Sequence, residues 1–204
     1  AMAAGAGSFS RPFTPHLLRC DRLPFPTAAT LAEIEAALAG ADDAIALIYE
    51  PLVQGVAGFK MMELWVLERV LRAARHHHVL TIADEVMTGF GRTGTLFASE
   101  QCATQPDIIC LAKGITGGML PLGATLCRQE VFEAFLADDP GKTFFHGHSY
   151  TANPLACAVA AASWDLLTAA PSIADRRRLA ARFQRERERL AGHRLLRDVR
   201  CMGC

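Results

Sequence analysis

The sequence predicts an α/β domain built around a mainly parallel sheet flanked by helices. Short apolar runs of strand length recur along the chain, and segments with helical periodicity lie between them. The runs are continuously apolar rather than alternating, which is typical of strands buried on both faces. Strands that alternate with helices favour parallel pairing.

Each element has its own signal. Residues 30–40 predict a helix, since Thr30 can cap it, Glu33 lies three residues on and Gly40 can end it. A stripe of apolar residues with charges between them predicts a second helix over 62–77. The other predicted elements are strands over 44–49, 79–83, 107–112 and 122–127, and helices over 128–137, 153–167 and 173–195.

Composition excludes several classes of function. The chain has 204 residues, 51% of them hydrophobic, and a formal net charge of zero. That suits one domain, or one domain and part of a second. Without a basic excess we expect no nucleic-acid partner, and no apolar run reaches the ~20 residues of a membrane span.

The cysteines and histidines give weak metal signals. Seven cysteines, an odd number scattered through apolar segments, indicate thiols in a reducing compartment, and we expect a cytoplasmic protein. Cys201 and Cys204 have the spacing of a metal or redox pair but lack a second pair. The consecutive histidines 76–78 fan around a helix end and do not converge on one ion.

Three predicted strands end at charged residues: Glu50, Asp84 and Lys113. The carboxyl ends of parallel strands meet at one edge of the sheet, where ligands bind. We therefore expect these three side chains to be neighbours in space, although they are far apart in sequence.

Lys113 invites a chemical role. The chain has three lysines, Lys60, Lys113 and Lys142, and arginine supplies the rest of its positive charge. A desolvated lysine can become a neutral amine, whereas arginine cannot. Lys113 follows an apolar strand and precedes a glycine. Two interpretations remain open on this stretch: a Schiff-base lysine, or a strand cap that extends its amine to water.

Lys113 and Asp84 together suit pyridoxal phosphate. The lysine amine would form an imine with the cofactor aldehyde, and a carboxylate would pair with the protonated pyridine nitrogen. Lys113, once released, would carry a proton between substrate and cofactor. The structural alternatives are that Asp84 caps the following turn and that Glu50 pairs with Arg92.

A loop with two histidines follows the sheet. His146 and His148 flank Gly147, and Ser149 comes next. A phosphate- or substrate-contacting turn fits best, because Ser149 and backbone amides are good donors to oxyanions; metal binding is the alternative. The arginines of 176–189 are interpreted as a solvated helix face.

Two longer motifs resemble the signature of class III pyridoxal-phosphate aminotransferases. They are residues 82–94, IADEVMTGFGRTG, and residues 106–118, PDIICLAKGITGG. Within the class, residues 50–55, 89–94 and 145–157 resemble the members that convert 8-amino-7-oxononanoate to 7,8-diaminononanoate in biotin synthesis. The resemblance covers nearly the whole chain.

The resemblance implies a fold, a cofactor and an assembly. The fold would be an incomplete large domain of pyridoxal-phosphate-dependent transferases of fold type I. The reaction would be a two-step transamination with adenosylmethionine or another amino donor, and the enzyme would be a homodimer with a shared active site. Another class III aminotransferase, acting on ω-amino acids or diamines, is the alternative.

The resemblance also assigns site residues. Lys113 would be the catalytic Schiff-base lysine and would also contact substrate, and Asp84 would be the pyridinium partner. Val86 would pack against one face of the cofactor ring. Arg92 would lie near the substrate pocket, without an assigned role. The implied contacts in the histidine loop are Gly147 with substrate and His148 and Ser149 with the cofactor phosphate across the dimer interface.

The chain departs from the family in length, since members are roughly twice as long. We expect residues 1–168 to form part of the cofactor-binding large domain, and residues 169–204 to form a linking helix and the start of a second, C-terminal domain. On this expectation the chain is an internal fragment that supplies part of a site. A fragment without activity, or a non-catalytic α/β module, is the remaining alternative.

Overall fold

The computed structural model describes residues 11–204. Its main sheet has four strands, β1 (Ala46–Tyr49), β4 (Leu80–Asp84), β5 (Ile108–Leu111) and β6 (Ala124–Cys127), in the order β1-β4-β5-β6. β4 pairs in parallel with both β1 and β5, whereas β6 runs antiparallel to β5. The prediction of a mainly parallel sheet is confirmed.

A second, two-stranded sheet was not predicted. β2 (Val53–Gln54) and β3 (Lys60–Met61) pair antiparallel across a turn in which Gly58 and Phe59 both have positive φ. Strands of two residues are too short to show any periodicity. This hairpin forms one wall of the cavity described below.

The helices lie close to the predicted positions. They are α1 (Leu31–Ala39), α2 (Leu64–His76), α3 (Gln129–Glu133), α4 (Pro154–Thr168) and α5 (Ala170–Leu190). α3 is shorter than predicted. α5 begins earlier than predicted, because Pro171 is accommodated in its first turn, where a missing N–H costs nothing. It also ends earlier, at Leu190.

Two apolar clusters form the core. One joins α1 to α2 through Ile34, Val66 and Val70, each at most 3% exposed. The other packs the opposite side of α2, through Leu67 and Leu71, against the hairpin and the segment after β4. α2 therefore buries two faces and packs against β4, and Leu47 of β1 lies against the first cluster.

The expectation that every strand is buried on both faces is wrong for β1 and for β6, in which Leu126 is 50% exposed. β1 shows the difference most clearly. Its residues alternate between exposed and half-buried, and Ile48 is 41% exposed. Leu47 packs against the first cluster, whereas the face that carries Ile48 is not covered by the described residues. Burial is found in the interior strand β4, at Thr81 and Ala83.

Among residues 11–204 no single helix is both long enough and apolar enough to cross a membrane. α4 and α5 meet the length and composition requirement only when taken together, and they are bent by 66° at the break between them.

Candidate functional site

The sheet brings the three charged strand ends to one edge, as predicted. Tyr49, just before Glu50, lies opposite Ala83. Asp84 lies opposite Cys110, three residues before Lys113. β1, β4 and β5 point the same way, so their carboxyl ends form a continuous rim.

Lys113 begins a short 3₁₀ turn, Lys113–Thr116, directly after β5. Its φ is +49°, in the left-handed region that side chains other than glycine rarely adopt. The side chain is exposed and lines a cavity of about 410 Å³. A strained backbone at the mouth of a cavity is typical of a functional position.

The cavity gathers several residues singled out in the sequence. Val86, Arg92 and Lys113 all line it, and Lys60 and Lys142 do not. The hairpin contributes Val53, Phe59 and Met61, which sequence reasoning missed. The other lining residues are Met87, Gly89, Thr93, Gly114, Met202 and Cys204.

Asp84 is half-buried at the end of β4 and does not line the cavity itself. One of its carboxylate oxygens accepts a hydrogen bond from the backbone N–H of Val86 at 3.1 Å. This is the turn-capping contact that the sequence left open. Within residues 11–204 the other oxygen has no protein donor, so the carboxylate retains an acceptor beside the cavity.

Glu50 holds the loop after β2 through a hydrogen bond to the backbone. Its carboxylate accepts from the N–H of Gly55 at 2.7 Å, and the proposed ion pair with Arg92 is wrong for the described part of the chain. A Cβ at Gly55 would lie 3.2–3.3 Å from Met87 and from Glu50, so the loop after β2 passes close to both. Arg92 is exposed at the cavity wall.

Glu85 was missed by sequence reasoning and organises the loop that follows Asp84. It is fully buried. One oxygen accepts from the Thr88 hydroxyl at 2.7 Å and the Ala98 N–H at 3.0 Å; the other accepts from the N–H and the hydroxyl of Ser99, both at 2.7 Å. Four donors compensate its desolvation. No periodic pattern marks such a residue, since its partners lie up to 14 residues away.

The segment 198–204 closes one side of the cavity. The guanidinium of Arg200 donates to the carbonyls of Phe59 at 2.8 Å and Gly58 at 3.1 Å. The Cys204 N–H donates to the Arg92 carbonyl at 3.0 Å. A side chain at Gly203 would overlap the backbone of residues 92–94, so this approach requires glycine.

The cysteines act as separate thiols in the described chain. The Cys204 thiol lies 3.8 Å from the Gly91 carbonyl and 3.9 Å from that of Arg176. Burial raises the pKa of the Cys102 thiol to about 11, which keeps it protonated and unreactive at neutral pH. Among residues 11–204 no group of three or more metal-ligating side chains is close enough to hold an ion.

The histidine loop lies apart from the cavity. Gly147, His148 and Ser149 are exposed and do not line it. The His148 N–H donates to the Thr151 hydroxyl at 2.9 Å, and its ring Nδ1 accepts from the Tyr150 N–H at 3.2 Å. The structure does not bring these residues to Lys113, and their contact with a cofactor phosphate stays a prediction.

Comparison with known proteins gives a consistent family. The class III aminotransferase family model matches residues 3–204. The adenosylmethionine-8-amino-7-oxononanoate aminotransferase of Synechococcus elongatus is 46% identical over 180 residues, which is 82% of this chain and 42% of that protein. The chain thus spans less than half the length of this relative.

Solved structures that resemble this chain are also aminotransferases. The adenosylmethionine-8-amino-7-oxononanoate aminotransferase of Methanocaldococcus jannaschii has a TM-score of 0.87 at 33% identity, over 96% of this chain and 46% of that one. An (S)-enantioselective omega-transaminase from Thermomicrobium roseum has a TM-score of 0.78 at 37% identity, over 86% of this chain and 39% of that one.

Proposed function

This chain belongs to the class III aminotransferases, a pyridoxal-phosphate-dependent family, and we propose that it carries the reactive lysine and the carboxylate of such an active site. The supporting observation is the placement of Lys113 and Val86 on one cavity, with Asp84 at the adjoining strand end. Neither Lys60 nor Lys142 lines that cavity.

The donor set fits the cofactor. Pyridoxal phosphate, when bound, supplies an aldehyde that captures amines and a ring that accepts electrons. The oxygen of Asp84 that the Val86 N–H does not hold would accept a hydrogen bond from a protonated ring nitrogen. Val86 gives an apolar surface for one ring face. Lys113 lines the cavity, and its Nζ amine would hold and return a proton there.

The specific reaction we propose is the amination of 8-amino-7-oxononanoate to 7,8-diaminononanoate in biotin synthesis, with adenosylmethionine or another amino donor. Its support is the name shared by the Synechococcus relative and the Methanocaldococcus structure, together with the motif at residues 145–157. The donor and acceptor are small molecules.

A second candidate is a class III aminotransferase that acts on ω-amino acids or diamines. The Thermomicrobium omega-transaminase supports it, since its identity to this chain is higher than that of the Methanocaldococcus structure. A third is a chain that lacks a complete site and has no activity alone. Its support is that Gly147, His148 and Ser149 do not line the cavity that Lys113 lines.

Three further expectations accompany the proposal. Gly147 contacts substrate, and His148 and Ser149 reach the cofactor phosphate of a second subunit in a cytoplasmic homodimer. Residues 1–168 belong to the cofactor-binding domain, and 169–204 lead into a second domain. The exposed position of the histidine loop supports the dimer, because residues that serve a neighbouring site must lie on the surface.

The cofactor proposal is tested by absorbance. The chain mixed with pyridoxal phosphate should acquire a band near the visible edge, which Lys113→Ala abolishes and the matched variant Lys142→Ala retains. A band of equal strength in Lys113→Ala would overturn the assignment of the lysine.

The substrate proposal is tested by turnover. Protein carrying this chain is assayed with 8-amino-7-oxononanoate and with ω-amino acids as acceptor and donor sets, including adenosylmethionine and lysine as donors. Formation of 7,8-diaminononanoate supports the biotin assignment. Turnover with ω-amino acids or diamines alone selects the second candidate, and absence of turnover with intact cofactor binding selects the third.

A further inference from the structure

Resting on the proposed role of Lys113, we propose that Phe90 is a positioning residue, whose side chain forms the seat for Gly114 and thereby holds the Lys113 turn at the cavity. The inference concerns a residue that does not line the 410 Å³ cavity itself. It begins from two residues with left-handed backbones, Phe90 and Lys113, which are connected through Gly114.

Both backbones are in the left-handed region. Lys113 has φ of +49° and Phe90 has φ of +60°. Neither is glycine, so each conformation must be maintained by its surroundings. Lys113 is followed at once by Gly114, and the Gly114 backbone lies against the side chain of Phe90.

The contact between Phe90 and Gly114 is close enough to exclude a methyl group. A Cβ at Gly114 would lie 2.8 Å from Cβ and Cδ2 of Phe90 and 2.9 Å from its Cγ. Gly114 does not have positive φ, so backbone conformation does not demand glycine there. The demand comes from Phe90, since all three nearest atoms belong to its side chain.

Phe90 is itself held on both sides. Its ring meets that of Phe97 edge-on, with centroids 5.5 Å apart, and Phe97 stacks on Trp164 of α4 at 6.3 Å. The N–H groups of Gly89 and Gly91 donate, at 2.9 Å each, to the carbonyls of Glu85 and Leu96. The Phe90 side chain is therefore held by its own loop and, through Phe97, by α4, so it cannot easily move away from Gly114.

The turn after Lys113 closes on this seat. The Ile115 N–H donates to the Ala112 carbonyl at 3.2 Å, and the Gly117 N–H donates to the Gly114 carbonyl at 3.0 Å. Gly114 lines the 410 Å³ cavity on one side and a second cavity of about 440 Å³ on the other. Phe90 lines only the second of these two. Phe90 thus acts on Lys113 from outside the candidate site, through Gly114.

The test uses steric relief in the full chain. The variants are Gly114→Ala, Phe90→Gly, the double variant of both, and Phe90→Leu as the conservative replacement. Glycine is used at position 90 because the Cβ of Phe90 is itself one of the atoms at 2.8 Å and must be removed to relieve the contact. Gly123→Ala is the matched glycine control, because its nearest neighbour would lie at an ordinary 3.7 Å and its φ is not positive. Folding is followed by thermal denaturation.

Two readouts are used. The first needs no cofactor: trace acetylation followed by mass spectrometry gives the labelling rate of Lys113 relative to Lys60 and Lys142, which serve as internal standards. The second is the fraction of pyridoxal phosphate fixed on Lys113 by borohydride. A merely structural role of Phe90 would lower the thermal midpoint without changing the relative labelling of folded protein.

We expect Gly114→Ala to change the relative labelling of Lys113 by at least about threefold and to lower cofactor fixation about tenfold, since shifts of ~1 Å cost up to ~100-fold in reactivity. The double variant should recover to the level of Phe90→Gly, because the clashing Cβ, Cγ and Cδ2 atoms are all removed. Phe90→Leu and Gly123→Ala should resemble the wild type. If Gly114→Ala does not fold, recovery of folding in the double variant supports the same contact.

Equal loss in Gly114→Ala and the double variant would overturn the inference, as would unchanged labelling and fixation in Gly114→Ala. Failure of the wild type to fix cofactor on Lys113 would instead overturn the proposed function. In that case the acetylation data from cofactor-free protein still decide the role of Phe90.

Discussion

Residues 31–116 and residues 117–204 bury their apolar side chains very differently. In the first region two clusters around α2 exclude solvent, and residues such as Ile34 and Leu71 are fully buried. In the second region large apolar side chains on α4 and the loops are exposed, among them Leu155 at 71% and Phe145 at 86%. Burial drives folding, so the first region supplies most of the stability of the described chain.

The difference separates two groups of candidate site residues. Asp84, Val86 and Lys113 belong to the region with the buried core. Gly147, His148 and Ser149 belong to the exposed region. A rigid support fixes catalytic geometry, so the first group is organised within this chain. The second group would need a covering surface to reach comparable order.

The largest expected effect contrasts two leucines. Leu71→Ala should destabilise the protein by about 3 kcal/mol, because it opens a cavity in a closed cluster, whereas Leu155→Ala should cost under about 0.5 kcal/mol. Both residues lie in helices, so the leucine-to-alanine change in helix propensity acts in the same direction in both variants. Denaturant unfolding measures both. A cost above about 2 kcal/mol for Leu155→Ala would contradict the contrast.

The next effect concerns Glu85. Glu85→Gln turns an amide NH₂ toward buried donors and should cost about 2–4 kcal/mol, since the mismatch leaves buried polar groups unsatisfied. Glu100→Gln is the matched control in the same loop, because Glu100 is exposed and accepts a single backbone N–H at 3.1 Å. Equal unfolding midpoints for the two variants would show that the Glu85 network does not hold the loop.

The smallest effect tests the link between the two regions. Asp107 accepts from the N–H and hydroxyl of Thr81, each at 2.8 Å, and from Arg128 at 2.9 Å. Burial alone would raise the pKa of Asp107, but these donors outweigh it and hold that pKa below its usual range. The resulting stability is present above the ordinary aspartate pKa of about 3.9 and is lost as pH falls through the lower folded value.

Asp107→Asn should therefore cost about 1 kcal/mol at neutral pH, a modest figure because Arg128 is half exposed to solvent. Its unfolding free energy should depend less on pH between neutrality and acid than that of the wild type. Asp42→Asn, at an exposed carboxyl, serves as the control. The same acid slope in Asp107→Asn and in the wild type would exclude Asp107 as a source of the slope.

Local patterns in the sequence accounted for most of the first region. Apolar runs located β4 and β5, the parallel arrangement followed from alternation with helices, and the strand-end rule placed Asp84 and Lys113 on one edge. The shape of the site could not be obtained this way. The hairpin wall with Phe59, the buried Glu85 and the seat of Phe90 under Gly114 depend on contacts between distant residues, which leave no periodic signal.

In residues 117–204 the sequence predicted local structure well but could not predict burial. The sequence located α4 correctly, and its N-terminus is capped by Asn153, whose side chain accepts from Leu155 and Ala156. Local chemistry of this kind is readable from sequence. The same is true of the first region, where the sequence did not show that Ile48 of β1 would be half exposed, because the burial of a strand face depends on the elements that pack on it and not on the strand itself.

The most direct test of the central claim is reductive fixation of pyridoxal phosphate followed by peptide mass spectrometry. The chain contains three lysines, so each site is resolved without ambiguity. We expect the fixed cofactor on Lys113, with Lys60 and Lys142 essentially unmodified, and its loss from that peptide in Lys113→Ala. Equal modification of all three lysines, or fixation on Lys60 or Lys142 alone, would contradict the claim that Lys113 is the reactive residue.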